Sequence, residues 1–157
     1  MHHYIAGIFN LPFIHVLSVA TLTGMTLHTS FVAGIIQFRT LPRPTFGNLQ
    51  AKQFPVYFSI QAAAFALLNL TTYKLMKCPF TKALNVVGLS LALLNLVFIG
   101  PWANKVMVER HEKEKNKEDV TALSKKFGIL HGVSSLANLG IVFIALFHCW
   151  SLAQYIK

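Results

Sequence analysis

From Met1 to Phe38 the chain carries no Asp, Glu, Lys or Arg, and three later stretches, 53–73, 83–104 and 127–156, are equally bare. A helix that crosses the hydrocarbon core of a bilayer needs about 20 consecutive apolar residues. Four uncharged stretches of this kind in 157 residues leave little chain for anything else. Only 12% of residues are charged, where a soluble domain carries about a quarter, so a soluble single domain is excluded. The pattern implies an all-α integral membrane bundle of four transmembrane helices, residues 1–157 forming one domain.

The breakers place the spans at about 12–38, 54–73, 83–99 and 127–155. Arg39 stops the first, Lys74 and Lys77 close the second, and Gly100-Pro101 ends the third. Pro42, Pro44 and Gly47 mark Arg39–Lys52 as a loop, and Gly7, Asn10 and Pro12 mark an interfacial turn before the first span. Residues 103–126 are polar and helix-prone, with Glu109/Lys113 and Arg110/Glu114 at the four-residue spacing that lets side chains meet. Met1-His2-His3-Tyr4 lacks the basic start of a secretory signal, so the first helix is expected to be retained. Cys78 and Cys149 stand near span ends as ordinary thiols, too few for a disulfide framework.

Orientation follows from the cations. Arg39, Arg43, Lys52, Lys105, Arg110, Lys113, Lys115, Lys117, Lys125 and Lys126 share one side, ten in all, against Lys74, Lys77, Lys82 and Lys157 on the other. The positive-inside rule puts the charged third loop in the cytosol and both termini across the membrane.

Polar residues at depth are where membrane proteins keep their chemistry, because lipid offers them no partner. None here is acidic; all five acids lie between Glu109 and Asp119. That disfavours a carboxylate relay, a carboxylate-bound cation and an acid-dependent hydrolase. In the fourth span His131, Ser134, Ser135 and Asn138 fall within roughly a 100° arc, with Gly128, Gly132 and Gly140 beside it as candidate helix-packing residues. His15, Ser18, Thr26 and Thr29 follow one side of the first span, His28 lies on another, and Asn69 and Asn95 sit within the second and third. Either these groups bond one another and fix helix register, or His15, His131, Ser134, Ser135 and Asn138 line an interior pocket. A metal shared by His15, His28 and His131 is disfavoured, since no pair has a ligand spacing on one helix. No metal, cofactor or catalytic residue is assigned. His111, in the charged loop, reads as solvated.

In the first loop Arg39, Arg43 and Lys52 either mark the membrane surface or contact a phosphate headgroup, which guanidinium grips through two hydrogen bonds. The charged segment 103–126 is a solvated helix or a docking surface for a protein partner. A second copy of the chain is a further candidate partner, and nothing suits nucleic acid.

Two stretches carry a resemblance. Residues 31–58, FVAGIIQFRTLPRPTFGNLQAKQFPVYF, and residues 127–140, FGILHGVSSLANLG, are similar to motifs of the transmembrane protein 205 family. The matching positions are Arg39, Pro42, Arg43, Phe46, Gly47, Gln50, Phe54, Pro55, Tyr57 and Phe58, then His131, Gly132, Ser134, Ser135 and Asn138. Gln53 departs from the pattern, where an apolar residue is common, and the third loop is compact and highly charged. The resemblance implies a four-span protein of intracellular membranes, of a size that fits the compact fungal-type members. Its vertebrate members are associated with resistance to platinum drugs, and it supplies no catalytic residues.

The expectation is therefore a non-catalytic protein of the mitochondrial outer membrane or endoplasmic reticulum that binds or regulates phospholipids, anionic ones included, or lipid-handling partners. The alternatives are a small-molecule, metal or drug transporter, a docking subunit of a membrane complex, and a membrane oxidoreductase, the last disfavoured by the missing acids and haem ligands.

Overall fold

The computed structural model describes residues 10–154. Four helices account for nearly all of them: α1 (Leu11–Thr40), α2 (Arg43–Leu75), α3 (Pro79–Lys115) and α4 (Thr121–Ala153), each long and apolar enough to cross a membrane. Neighbours in sequence pack side by side, and α4 closes the bundle against α1. The short links make adjacent helices antiparallel. Thirty-three residues of helix reach about 50 Å, against roughly 30 Å of hydrocarbon, so α2 and α4 extend beyond the apolar slab.

Proline and glycine act differently from the sequence expectation. Only Leu41 and Pro42 interrupt the helix between α1 and α2, where Arg39–Lys52 had read as a loop. Pro44 lies in the first turn of α2, where a missing N–H costs nothing. Gly47 lets α2 approach α3, since a β-carbon there would sit 3.0 Å from the Met107 sulfur. Gly100-Pro101 does not end α3 either. The helix widens into a π-turn over Asn95–Ile99 and continues to Lys115. The change of register leaves Pro101 in the first turn of the resumed α-helix, again where its lack of N–H is harmless. A second π-turn, Thr29–Ala33, interrupts α1.

The charged segment 103–126 consists of the last turns of α3, a five-residue link and the first turns of α4. Lys117 takes the left-handed conformation (φ 59°), which lets the Glu118 amide reach back to the Lys113 carbonyl and close α3. Asp119 then starts α4, accepting from the Thr121 amide at 2.9 Å and hydroxyl at 2.6 Å. Among the described residues the ion pair is Lys113–Glu118 at 3.9 Å, in place of the two four-residue pairs expected; exposed pairs are worth too little to fix long side chains. Gly7, Tyr155, Lys157 and the first four residues lie outside the described part.

The core is small-on-large. Phe65 and Leu68 of α2 pack with Val19, Leu22, Ala92, Ile141 and Ala145. Gly88 of α3 faces the Phe65 ring so closely that a methyl group there would collide with it. The large apolar side chains Leu70, Phe98 and Leu136 are about two-thirds exposed. An apolar exterior around a partly polar interior is the arrangement a bilayer demands.

Candidate functional site

Three groups of polar side chains occupy different levels of the bundle. Nearest the ends bearing the termini, His15 Nδ1 lies 2.8 Å from Thr71 Oγ1 and His15 Nε2 lies 3.1 Å from His148 Nε2. His148 Nδ1 lies 2.9 Å from Asn85 Oδ1, and Asn85 Nδ2 donates to Thr72 Oγ1 at 3.0 Å. One circuit thus ties all four helices, and every member is buried. The apolar core separates it from a middle group. There Tyr57 and Gln61 both donate to Asn138 Oδ1, at 2.7 and 3.1 Å, and Asn138 Nδ2 donates to Ser30 at 2.9 Å. Gln61 also donates to Thr26, while its own carbonyl oxygen is buried without a protein partner.

The third group lies at the charged end. Arg43, Arg110, His111, Glu114 and Ser124 line a pocket of about 220 Å³. α2 begins at Arg43 and α4 at Thr121, neither with a side-chain cap from the residue preceding it. Two helix N-termini, each with the positive end of a dipole, therefore reach the pocket, although at the start of α4 the Asp119 carboxylate already takes the Thr121 amide. Arg110 spreads over the Phe127 ring, its carbon 5.2 Å from the centroid, and donates to His111 Nε2 at 3.3 Å. An arginine only donates, so this bond fixes His111 as the tautomer with hydrogen on Nδ1. The Arg110 Nε atom is buried without a partner. With two guanidiniums, two helix starts and one carboxylate, the pocket is suited to an anion with several oxygens.

The structure redistributes the residues singled out in the sequence. Arg43 lines the pocket, whereas Lys52, nine residues on, is turned about 180° from it on α2, and Arg39, in the last turn of α1, is exposed and not part of the lining. The interior face expected on α4 is half there. Asn138 and Ser134 face inward, the Ser134 carbonyl accepting from Asn95 at 3.3 Å, but His131 and Ser135 are on the outer surface, with His131 stacked on Phe127. The helix turns them outward because Ala137, Ile141 and Ala145 take the core-facing positions. Gly128 and Gly132 have open space beyond them, so they pack against nothing in the monomer, while Gly140 touches Leu91. His15 is buried, but His28 and His131 are exposed, so the three histidines do not converge. Among the described residues no group of three His, Cys, Asp or Glu could hold a metal.

Sequence reasoning passed over His148, Asn85, Thr71, Gln61 and Arg110, and took His111 for a solvated residue. The signal for His148 and Asn85 was present, since both are strongly polar residues in otherwise apolar spans. Arg110 gave none, lying among charged neighbours in a segment that reads as uniformly solvated. Gln53, the departure noted above, accepts from Gln37 at 3.2 Å, and Gln37 accepts from Gln50 at 2.7 Å, so three glutamines tie α1 to α2.

The fold and its buried hydrogen-bond circuits define a multi-pass helical membrane protein. The chain belongs to the family described as domain of unknown function DUF4149, which matches residues 17–112. It is similar to Transmembrane protein 205 of Danio rerio, with 28% identity covering 80% of this chain and 82% of that protein. No solved structure matches it.

Proposed function

We propose that this protein binds an anionic phospholipid through the pocket between α2, α3 and α4, in an intracellular organelle membrane, and that it thereby holds or organises lipid rather than transforming it. The observation carrying this reading is the convergence of Arg43 and Arg110 on a pocket that two helix N-termini also reach. A phosphate there accepts from Arg110, whose Nε is otherwise without a partner, from Arg43 and from backbone amides. Acyl chains continue along the apolar helix faces below. Glu114 opposes the anion and sets its affinity lower than the two arginines alone would.

The test is native mass spectrometry of the intact protein, with liposome flotation on vesicles with and without anionic lipid. The Arg43→Ala/Arg110→Ala variant is expected to lose bound anionic lipid, by tenfold or more in apparent affinity, since charge-assisted hydrogen bonds contribute about 1.5–3 kcal/mol each. Lys52→Ala, on the opposite face, is expected to retain it, and Glu114→Gln to bind more tightly. Equal loss in Lys52→Ala would reduce the arginines to members of a general basic surface.

A further inference from the structure

We infer that His15 and His148 together form a buried site for a single proton, separate from the lipid pocket and at the opposite end of the bundle. His15 lies four residues inside the start of α1 and His148 five residues inside the end of α4, each little more than a turn from its helix end on the side that bears the termini.

Counting hydrogens makes the case. The two imidazoles take part in three contacts: His15 Nδ1 with Thr71 Oγ1, the two Nε2 atoms with each other, and His148 Nδ1 with Asn85 Oδ1. Each contact needs one hydrogen. The Thr71 hydroxyl is also 2.8 Å from the Leu67 carbonyl oxygen, and when it donates there, His15 Nδ1 must supply its own hydrogen. The Asn85 amide nitrogen is committed to Thr72, so its oxygen accepts and His148 Nδ1 must donate. Three hydrogens then sit on two rings, one more than two neutral imidazoles carry.

The neutral pair fits the same heavy-atom positions. The Thr71 hydroxyl turns from Leu67 onto His15 Nδ1, and the Leu67 carbonyl keeps its backbone helical bond. Turning the Asn85 amide over, with the Thr72 hydroxyl donating to it, gives the same count from the other end. Uptake of one proton thus requires either one hydroxyl rotation at Thr71 or one amide flip at Asn85 accompanied by rotation of the Thr72 hydroxyl. A second proton has no place, because two N–H groups would then face each other across 3.1 Å. That separation suits an N–H···N bond. A tetrahedral metal would hold two imidazole nitrogens about 3.3 Å apart and would need further ligands, and among the described residues no third His, Cys, Asp or Glu joins this pair.

Among the described residues the surrounding elements supply no countercharge. On α2 the nearest titratable groups are Tyr73 and Lys74, both exposed, with Tyr57 in the middle group. Lys82 of α3 lies over the Tyr73 ring at 4.9 Å. On α4 Cys149 is bonded to Thr23, and His131 is towards the far end; on α1 His28 is exposed. Lys77 and Cys78 occupy the α2–α3 link, and all five acids lie at the opposite end. The charge of the added proton is therefore spread over both rings and the oxygens of Thr71, Leu67 and Asn85.

The test is nitrogen-15 NMR of the full chain, histidine-labelled, in lipid nanodiscs between pH 4 and pH 8. The result expected is one titration step seen at the same midpoint by both rings, and in His15→Gln a His148 midpoint displaced by at least a full pH unit. Separate midpoints, a His148 step unchanged in His15→Gln, or no step in either ring across the folded range would overturn the site. A second variant covers misfolding of the first. Asn85→Asp places a carboxylate on the circuit and should make the pair hold its proton to a pH about 1–3 units higher; an unmoved step overturns the inference equally. Both readouts are independent of lipid binding, so failure here leaves the lipid pocket standing.

Discussion

Gly88 and Gly128 are both glycines in apolar helices, yet they meet opposite surroundings. A methyl group on Gly88 would strike the Phe65 ring, while one on Gly128 would meet nothing within 4 Å. Gly88→Ala is therefore expected to destabilise the folded bundle by about 1–3 kcal/mol, the usual cost of overpacking. Gly128→Ala should change stability by less than about 0.5 kcal/mol. Thermal unfolding in detergent, followed by circular dichroism, distinguishes the two. The sequence pattern favoured the wrong glycine because four-residue spacing says which residues share a face, but not which face the bundle turns inward. The same limit explains His131 and Ser135. Arg43 was legible because two prolines isolate it, whereas its partner Arg110 is 67 residues away and becomes a partner only through the antiparallel pairing of the helices.

At the scale of the element, the four helices were legible from uncharged length alone, and their ends were not. Proline and glycine mark a break only when the helix has no other way to accommodate them. In α3 a π-turn does so, and Gly100 closes it with its amide on the Asn95 carbonyl. A β-carbon at Gly100 would stand 2.7 Å from that oxygen. Gly100→Ala is expected to force the turn to rearrange, and backbone amides around Asn95–Ile99 should exchange with deuterium faster than in the parent protein. The start of α4 carries a pH dependence of its own. The Thr121 hydroxyl and then its amide hold the Asp119 carboxyl below the usual carboxylate range. A carboxyl lowered by folding contributes stability above its unfolded value near about pH 3.9, and loses it as the pH falls through the lower folded value. Asp119→Asn should remove that acid-side dependence from the first turn of α4, read as local hydrogen exchange at pH 3 against pH 6. Because the pair is exposed, overall stability is expected to move little.

For the molecule as a whole, the distribution of charge along the helices agrees between sequence and structure: Arg43 and Arg110 share one end, and Lys74, Lys77 and Cys78 are at the other. Orientation in the membrane is then a single binary question. Cys78 suits it, since hydrogen bonds from the Thr81 amide and hydroxyl lower the thiol below its usual range and so favour the reactive thiolate. With Cys149 changed to Ser, a membrane-impermeant maleimide is expected to label Cys78 only after the non-cytosolic side is exposed. Labelling from the cytosolic side of intact vesicles would reverse the orientation. What the sequence could not supply was the cross-bundle pairing of His15 with His148, 133 residues apart, because that depends on helix rotation and not on composition.

α3 carries Asn85 near one end and Arg110 near the other, 25 residues apart, or about 38 Å along a single helix. Mechanically it is a rod gripped at both ends, by the histidine circuit below and by the basic pocket above. The two grips are thus joined by continuous helix, with no loop between them. The π-turn at Asn95–Ile99 is the one change of pitch along that rod, and it sets the rotational offset between the face that carries Asn85 and the face that carries Arg110.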